Sequence, residues 1–277
     1  MKTLFLQAPS YDGFDGGAGS RYQAKREVRS FWYPTWLAQP AALIEGSRLL
    51  DAPADGLSVE ASLDIAQQYE LVVIHTSTPS FPTDTLFAEQ LKQRNPAVLV
   101  GMVGAKVAVD PHDSLVASEA IDFVCREEFD FTCRDIAQGL PLASIPGLSY
   151  RQPDGGIMHN EARPILENMD ELPFVAPIYK RDLKIENYFI GYLKHPYVSI
   201  YTGRGCRSKC TFCLWPQTVG GHRYRTRSVE NVLEEVKWIR DNMPEVKEIM
   251  FDDDTFTDFK PRVEEIARGL EIGRAHV

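Results

Sequence analysis

The sequence lacks several features that define large classes of protein. No apolar run approaches the roughly 20 residues of a membrane-spanning helix, and the apolar start over residues 1–6 is too short for a signal peptide, so it predicts a first strand. Positive charge is in deficit, since 30 Lys and Arg stand against 39 Asp and Glu, a formal net charge of −9. This balance disfavours binding to a nucleic-acid backbone, and no nucleic-acid partner is expected.

Cysteine is also scarce, with 5 residues in a chain of 277. Three of them are clustered, which fits a reducing cytoplasm better than a disulfide framework. Cys125 and Cys133 lie apart from the cluster and are expected to be buried thiols. The remaining composition, 44% hydrophobic and 25% charged, is ordinary for a globular protein, and the length favours two domains.

The clustered cysteines are Cys206, Cys210 and Cys213, in a C-x3-C-x2-C spacing directly after an apolar run over residues 197–201 that predicts a strand. Thiolates are soft ligands that select zinc, copper(I) or iron–sulfur clusters. A structural zinc site is closed by four protein ligands. Three thiolates instead suit a cubane cluster that keeps one iron open.

This motif, with Phe212 before its last cysteine, resembles that of radical S-adenosylmethionine (SAM) enzymes. Residues 205–215 and 225–228 are similar to the subgroup with an N-terminal cobalamin-binding-type domain. More narrowly, residues 7–14 and 30–37 resemble the hopanoid-biosynthesis-associated members, of the bacteriohopanetetrol cyclitol ether synthase type.

The resemblance implies a 4Fe-4S cluster held by the three cysteines, with SAM chelated at the open iron. One-electron reduction would cleave SAM to a 5′-deoxyadenosyl radical. In the hopanoid branch, that radical would rearrange a glucosamine head group of bacteriohopanetetrol to a cyclitol ether. The implied partners are a lipid or other small-molecule substrate and an external electron donor, with peripheral membrane contact through a lipid substrate.

The first half of the chain predicts an α/β fold with a doubly wound, Rossmann-like parallel sheet, because continuous apolar strands alternate with helical stretches. Strands are predicted over residues 3–8, 48–52, 71–76, 98–103 and 121–125, and helices over 35–45, 58–68, 83–94, 111–117 and 129–138. The predicted organisation is a cobalamin-binding-type domain at 1–141, a hairpin and linker at 142–194, and the N-terminal part of a radical SAM (β/α) barrel at 195–270.

Ligands of such sheets bind at the carboxyl ends of the strands. Thr76, Ser77, Thr78 and Gly104 follow the third and fourth strands and resemble the loops that cradle cobalamin in this subgroup. The D-x-H-x-x-G signature of an axial histidine is absent, because Leu115 stands where the glycine belongs after Asp110-Pro111-His112. Two alternatives remain open, cobalamin bound without an axial histidine and a domain that only shapes the substrate pocket.

The second half predicts a strand, the cysteine loop, a helix from Ser228, a second strand and a further helix, which is the beginning of a parallel barrel. Asp252, Asp253 and Asp254 end the second strand, where radical SAM enzymes commonly place the group that receives the SAM amino group. The resemblance therefore implies that these aspartates and Phe212 bind SAM, Phe212 against the adenine. The alternative for the aspartates is a solvated acidic turn or a magnesium site.

Two alternative functions compete with the hopanoid hypothesis. A cobalamin-dependent radical SAM methyltransferase acting on a lipid or other small molecule would share every motif. A zinc-binding structural module would need a fourth ligand, for which His195 and His222 are candidates.

Three further stretches carry expectations of their own. Residues 126–130 are interpreted as acidic side chains at a helix N-terminus, and the aromatic run at 31–36 as core packing. Residues 271–277 match one reading frame of a common sequencing adapter and are predicted to be a scar on a truncated chain. A chain with an incomplete barrel is not expected to turn over.

Overall fold

Short apolar strands alternate with helices through the first half of the chain, which confirms the predicted α/β class. The structure, a computed structural model, describes residues 1–9, Tyr11 and residues 31–274. Part of the opening resemblance, at residues 10, 12–14 and 30, therefore lies outside the described residues. The strands are β1 (Thr3–Gln7), β2 (Arg48–Asp51), β3 (Leu71–His75), β4 (Leu99–Val103) and β5 (Phe123–Cys125).

Helices connect these strands. They are α1 (Thr35–Ala42), α2 (Ala52–Asp55), α3 (Val59–Ala66), α4 (Phe81–Arg94), α5 (Ala105–Val109), α6 (Pro111–Val116) and α7 (Asp130–Ala137). β1 to β5 run parallel in the order β2-β1-β3-β4-β5. The strand order reverses between β1 and β3, which is where doubly wound sheets bind ligands.

The parallel strands are buried on both faces, as their continuous apolar sequences predict. Leu4, Leu6, Val72 and Ile74 point into one apolar core. Phe5 and Val73 point into the other core, which continues into the second half of the chain. The alternation of side chains along each strand therefore places the sheet between two layers.

A hairpin extends this sheet at its β5 edge. β6 (Leu148–Arg151) pairs antiparallel with β5, and β7 (Ile157–His159) pairs antiparallel with β6. The turn at 154–156 joins β6 to β7, within the stretch where the sequence predicts a hairpin. The connection continues through α8 (Ala176–Asp182).

The second half begins with two parallel strands, β8 (Tyr197–Ile200) and β11 (Glu248–Phe251), paired from Tyr197↔Glu248 to Ile200↔Phe251. Between them lie β9 (Gly203–Arg204), α9 (Trp215–Thr218), β10 (Arg225–Thr226) and α10 (Val229–Asn242), and α11 (Lys260–Arg274) follows β11. The hydroxyl of Ser228 accepts a hydrogen bond from the Asn231 N–H at 3.2 Å, so Ser228 caps α10, the helix that the sequence predicts from this residue. Residues 275–277 of the predicted scar lie outside the described residues.

Among the helices of the described residues, none combines the length and the apolar character that crossing a membrane requires.

Candidate functional site

The three clustered cysteines lie on one loop, residues 205–224, which joins β9 to β10 and is called the cysteine loop below. β9 and β10 pair antiparallel, so the two ends of the loop meet. Cys210 is exposed, Cys206 and Cys213 are half-buried, and all three are free thiols. Soft donors at the carboxyl end of a strand are the ligand type that an iron–sulfur cluster takes.

The thiols are not gathered as a ligand set in the structure. Within the described part of the chain, no three His, Cys, Asp or Glu side chains lie close enough together to hold a metal ion. Because metal binding and local folding are coupled, a cluster would draw these sulfurs together. The three free thiols of this accessible loop are the donor type that an iron–sulfur cluster takes. Binding a cluster would require the loop to rearrange so that the three sulfurs come together.

Glycines let the two ends of the cysteine loop approach each other. Gly205 has a φ of +89°, and a Cβ there would stand 2.4 Å from the Arg223 carbonyl oxygen and 2.7 Å from that of Gly220. Gly203 packs against Tyr224, whose ring would meet an added Cβ at 2.7 Å. The sharp bend of the chain is thus at Gly205, whereas Gly203 permits close packing.

Asp253 holds the ends of the two parallel strands together. Its carboxylate accepts hydrogen bonds from the Thr202 N–H at 2.6 Å and from the Tyr224 hydroxyl at 2.6 Å. Burial raises the pKa of Asp253, while these hydrogen bonds act to lower it. Its lone pairs are therefore engaged within the protein.

Asp254 lies against the cysteine loop and is exposed. Its Oδ2 would stand 3.6 Å from a Cβ at Gly220. Partial burial and the neighbouring charge of Asp253 raise the pKa of Asp254, and the Gly205 backbone N–H acts to lower it. Asp252 is half-buried, and its N–H donates to the Ile200 carbonyl oxygen at 3.0 Å. Of the three aspartates, Asp254 has the position that suits an ammonium group bound beside the loop.

Phe212 projects from the cysteine loop with 90% of its surface exposed. An exposed aromatic face next to the second and third cysteines is available for stacking on a flat ring. The position is compatible with the predicted adenine contact.

The residues predicted to contact cobalamin meet at the carboxyl edge of the parallel sheet. Thr76 and Ser77 are buried, and the Ser77 hydroxyl bonds the Ser80 hydroxyl at 2.8 Å. Thr78 is exposed. A Cβ at Gly104 would stand 2.3 Å from the Thr76 carbonyl oxygen and 2.9 Å from the His75 ring. The loop after β3 therefore packs so closely against Gly104 that no side chain fits there. Of the four residues, Thr78 is the one that faces solvent.

A buried carboxyl that the sequence did not predict lies at the same edge. Asp84, near the start of α4, is 4% exposed, and its Oδ2 has no hydrogen-bond partner. Burial raises the pKa of Asp84 to about 7, opposed by hydrogen bonds from Thr76 and Ser80. Burial also lowers the pKa of His75 to about 4, so its imidazole is neutral near pH 7. An acidic residue one turn into an amphipathic helix gives no sequence signal of such burial.

The acidic residues at 126–130 do more than favour a helix N-terminus, which corrects the sequence interpretation. Asp130 receives two hydrogen bonds from Arg204, at 2.6 and 3.1 Å, and Glu128 receives two from Arg225, at 2.9 and 2.7 Å. All four side chains are buried. The aromatic run packs as expected, since Phe31 and Tyr33 are buried in the core.

The zinc alternative finds no support in the geometry. Neither His195 nor His222 completes a ligand set with the cysteines among residues 31–274. A closed structural zinc site requires four such ligands.

Residues 200–277 match the model of the Radical SAM superfamily. The chain carries a radical SAM segment. Proteins of this superfamily use SAM and a 4Fe-4S cluster, which agrees with the thiols and the carboxylate described above.

One sequence relative and two solved structures extend the likeness over most or all of the chain. An uncharacterized methyltransferase of Pyrococcus horikoshii is 30% identical over 262 residues, which cover 90% of this chain and 55% of the relative. The structure of OxsB, a cobalamin-dependent SAM radical enzyme with aqua-cobalamin and SAM bound, superposes with a TM-score of 0.69 at 16% identity, covering 98% of this chain and 37% of that one. TsrM of Kitasatospora setae, a radical SAM methyltransferase with cobalamin and a 4Fe-4S cluster bound, gives a TM-score of 0.63 at 15% identity, covering 100% and 52%.

At such low identity, the two structural matches show the fold alone. The chain spans about half or less of the length of these proteins. The predicted fold class, with a Rossmann-like domain followed by the first part of a radical SAM barrel, is confirmed by these matches.

Proposed function

We propose that this chain belongs to a cobalamin-dependent radical SAM methyltransferase that acts on a small molecule. The observation that carries the proposal is the meeting of two strand ends: β8 leads into the loop with three free thiols, and β11 leads into Asp254 against the same loop. Reacting groups of parallel barrels gather at the carboxyl ends of their strands.

Different residues of the chain bind the cluster and SAM. Cys206, Cys210 and Cys213 hold a 4Fe-4S cluster, which when bound supplies one electron for cleavage of SAM. Asp254 accepts hydrogen bonds from the SAM ammonium group, and Phe212 covers the adenine. Asp253 fixes the two strand ends through Thr202 and Tyr224, so that Asp254 and the loop keep their relative position.

Cobalamin is assigned to the carboxyl edge that carries His75, Thr78 and Gly104. His75 ends β3 and Thr78 follows it, and β3 borders the reversal point between β1 and β3 where ligands of such sheets bind. Gly104 follows the next strand, β4. The likeness to the cobalamin-bound OxsB and TsrM supports the assignment, as does the methyltransferase name of the Pyrococcus relative. Cobalamin would supply the methyl carrier.

The rearrangement of a hopanoid head group stays a prediction of the sequence resemblance. No relative described above carries hopanoid chemistry in its name. The substrate class we propose is a small molecule, and an external electron donor supplies the electron.

Cluster binding tests the proposal directly. After anaerobic reconstitution with iron and sulfide, the chain is expected to turn brown and bind about four irons. Single Cys→Ala changes at 206, 210 and 213 should abolish this, whereas Cys133→Ala, in the first domain, should not. Binding of a single colourless zinc ion that survives the loop changes would refute the assignment.

Measuring whether the chain binds cobalamin distinguishes methyl transfer from the hopanoid rearrangement. Tight retention of cobalamin on gel filtration of the reconstituted chain supports a methyl carrier. Loss of all cobalamin in that experiment would favour a radical rearrangement without it.

A further inference from the structure

Two buried arginines form the neck of the cysteine loop. Arg204 and Arg225 are directly opposite each other in the β9–β10 ribbon. Their side chains are 1% and 3% exposed. Like charges directly opposite each other on paired strands repel, and the repulsion is strongest where water is excluded. The neck therefore requires negative charges from elsewhere in the fold.

Those charges come from the first domain, from the segment that follows β5. Asp130 makes a two-pronged bond to Arg204, and Glu128 makes one to Arg225. Glu128 also lies 3.8 Å from Arg204. Each arginine thus has a matched carboxylate partner with fork geometry.

Further contacts orient the side chains of Arg204 and Arg225. The Trp36 ring, on α1 of the first domain, lies 4.6 Å from the Arg204 guanidinium carbon. Arg225 also donates to the Gly220 carbonyl oxygen at 2.8 Å, inside the cysteine loop. A planar guanidinium group can bind a carboxylate through two parallel hydrogen bonds while its face stacks on a ring, whereas an ammonium group lacks that planar fork.

The segment that supplies the carboxylates is itself held in an unusual conformation. Glu127 has a φ of +53°, which is a rare backbone state for a residue with a Cβ. Such a conformation persists where the surroundings dictate it. The two ion pairs that follow Glu127 provide that constraint.

We propose that Glu128 and Asp130 are positioning residues for the cysteine loop. They neutralise the arginine neck, and so they hold the two ends of the loop where its three thiols can reach one cluster. The proposal rests on the proposed function, because it assumes that the loop binds the cluster. It implies that the first domain controls cluster assembly in the second.

The test compares cluster loading of the whole chain with that of Asp130→Asn and Glu128→Gln. Each variant leaves a buried arginine without its counter-charge, and the iron concentration for half loading should rise about tenfold, as for other residues that orient metal ligands. Asp130→Glu keeps the charge and should restore most of the loading. Glu167→Gln is the matched control, because Glu167 also pairs with an arginine of the cysteine loop, Arg223, but both side chains of that pair are exposed.

Two readouts separate positioning from loss of fold. Cys125 and Cys133 are fully buried in the first domain, so their protection from alkylation reports that the domain is intact. In variants that load some cluster, the change that SAM produces in the electron paramagnetic resonance (EPR) spectrum of the reduced cluster should shrink. Arg204→Lys, which keeps the charge but not the fork, should also load more weakly.

Asp130→Asn, Glu128→Gln and Arg204→Lys are all expected to load weakly. The positioning role would be overturned if any of them, with Cys125 and Cys133 still protected, showed normal loading and a normal SAM-induced spectral change. If the unaltered chain takes up no cluster, the proposed function fails as well. A loading defect in Glu167→Gln equal to that of Asp130→Asn would also overturn the role. It would show that losing any negative charge near the cysteine loop weakens loading, whether or not that charge is paired with a buried arginine.

Discussion

Asp253 and Thr202 are joined by two hydrogen bonds, from the Thr202 N–H at 2.6 Å and from its hydroxyl at 2.5 Å. These bonds tie the end of β11 to the end of β8, which leads through β9 into the cysteine loop. One carboxylate of the aspartate run is therefore structural. Its neighbour Asp254 is left to face the loop.

Different effects are expected when the two aspartates are changed. Asp254→Asn should leave the fold intact and weaken SAM binding to the cluster-loaded chain by about 10- to 100-fold, the loss of one charged hydrogen bond. Asp253→Asn should lower the free energy of unfolding by about 1–3 kcal/mol, because Thr202 and Tyr224 lose a shared acceptor. Equilibrium dialysis with SAM and urea denaturation measure the two effects. Tight SAM binding by Asp254→Asn would reject its role.

A methyl group at Gly104 should destabilise the sheet edge. Gly104→Ala places a Cβ 2.3 Å from the Thr76 carbonyl oxygen at a φ of +115°, and the expected loss is about 3 kcal/mol or more. Gly139→Ala is the control, because Gly139 has a φ of +79° but nothing within 4 Å of an added Cβ. It should lose only about 1 kcal/mol. Equal losses in urea denaturation would show that the clash with Thr76 is relieved.

The buried carboxyl of Asp84 should make stability depend on pH. Burial raises its pKa from 3.8 to about 7, so the folded chain keeps a proton that the unfolded chain releases. This contribution is complete below pH 3.8 and is lost as the pH rises toward 7. Asp84→Asn should remove about 2–3 kcal/mol from the fall in stability between about pH 5 and about pH 8.

Urea denaturation at the two pH values measures this effect. Burial raises the pKa of Asp51 to about 7 as well, so a smaller fall should remain in Asp84→Asn. An unchanged pH dependence in that variant would show that Asp84 ionises normally in the folded chain.

Glycine should relieve the backbone at Glu127. Glu127→Gly removes the Cβ at a φ of +53°, and the free energy of unfolding should rise by up to about 1 kcal/mol after the entropy of glycine is counted. Glu127→Ala removes the same charge but keeps the Cβ, so it should bring no such gain. Denaturation midpoints of the two variants check this, and equal midpoints would assign any change to charge.

Local patterns in the sequence were enough to predict the elements of the fold. The apolar runs of β1 and β3, the turn at 154–156 and the cap at Ser228 each depend on residues within a few positions of one another. The cysteine spacing also lies within one loop. It gave the ligand type because thiolate chemistry is a property of the side chains themselves.

Contacts between distant residues were beyond such patterns. Asp130 and Arg204 are 74 positions apart, and Glu128 and Arg225 are 97 apart. In sequence, the two acidic residues look like ordinary charges at a helix N-terminus. Only the packing of the first domain on the cysteine loop makes them buried partners of arginine.

The sequence by itself determined the alternation of strands and helices, the soft ligands of the cysteine loop and the presence of a carboxylate after β11. The tertiary structure alone decided that Asp253 accepts hydrogen bonds from Thr202 while Asp254 faces the cysteine loop. It also decided that Gly104 packs against the Thr76 carbonyl oxygen, where no Cβ fits. The reason is that hydrogen bonding and steric exclusion depend on which groups meet in space, and chain folding brings together residues that no local pattern relates.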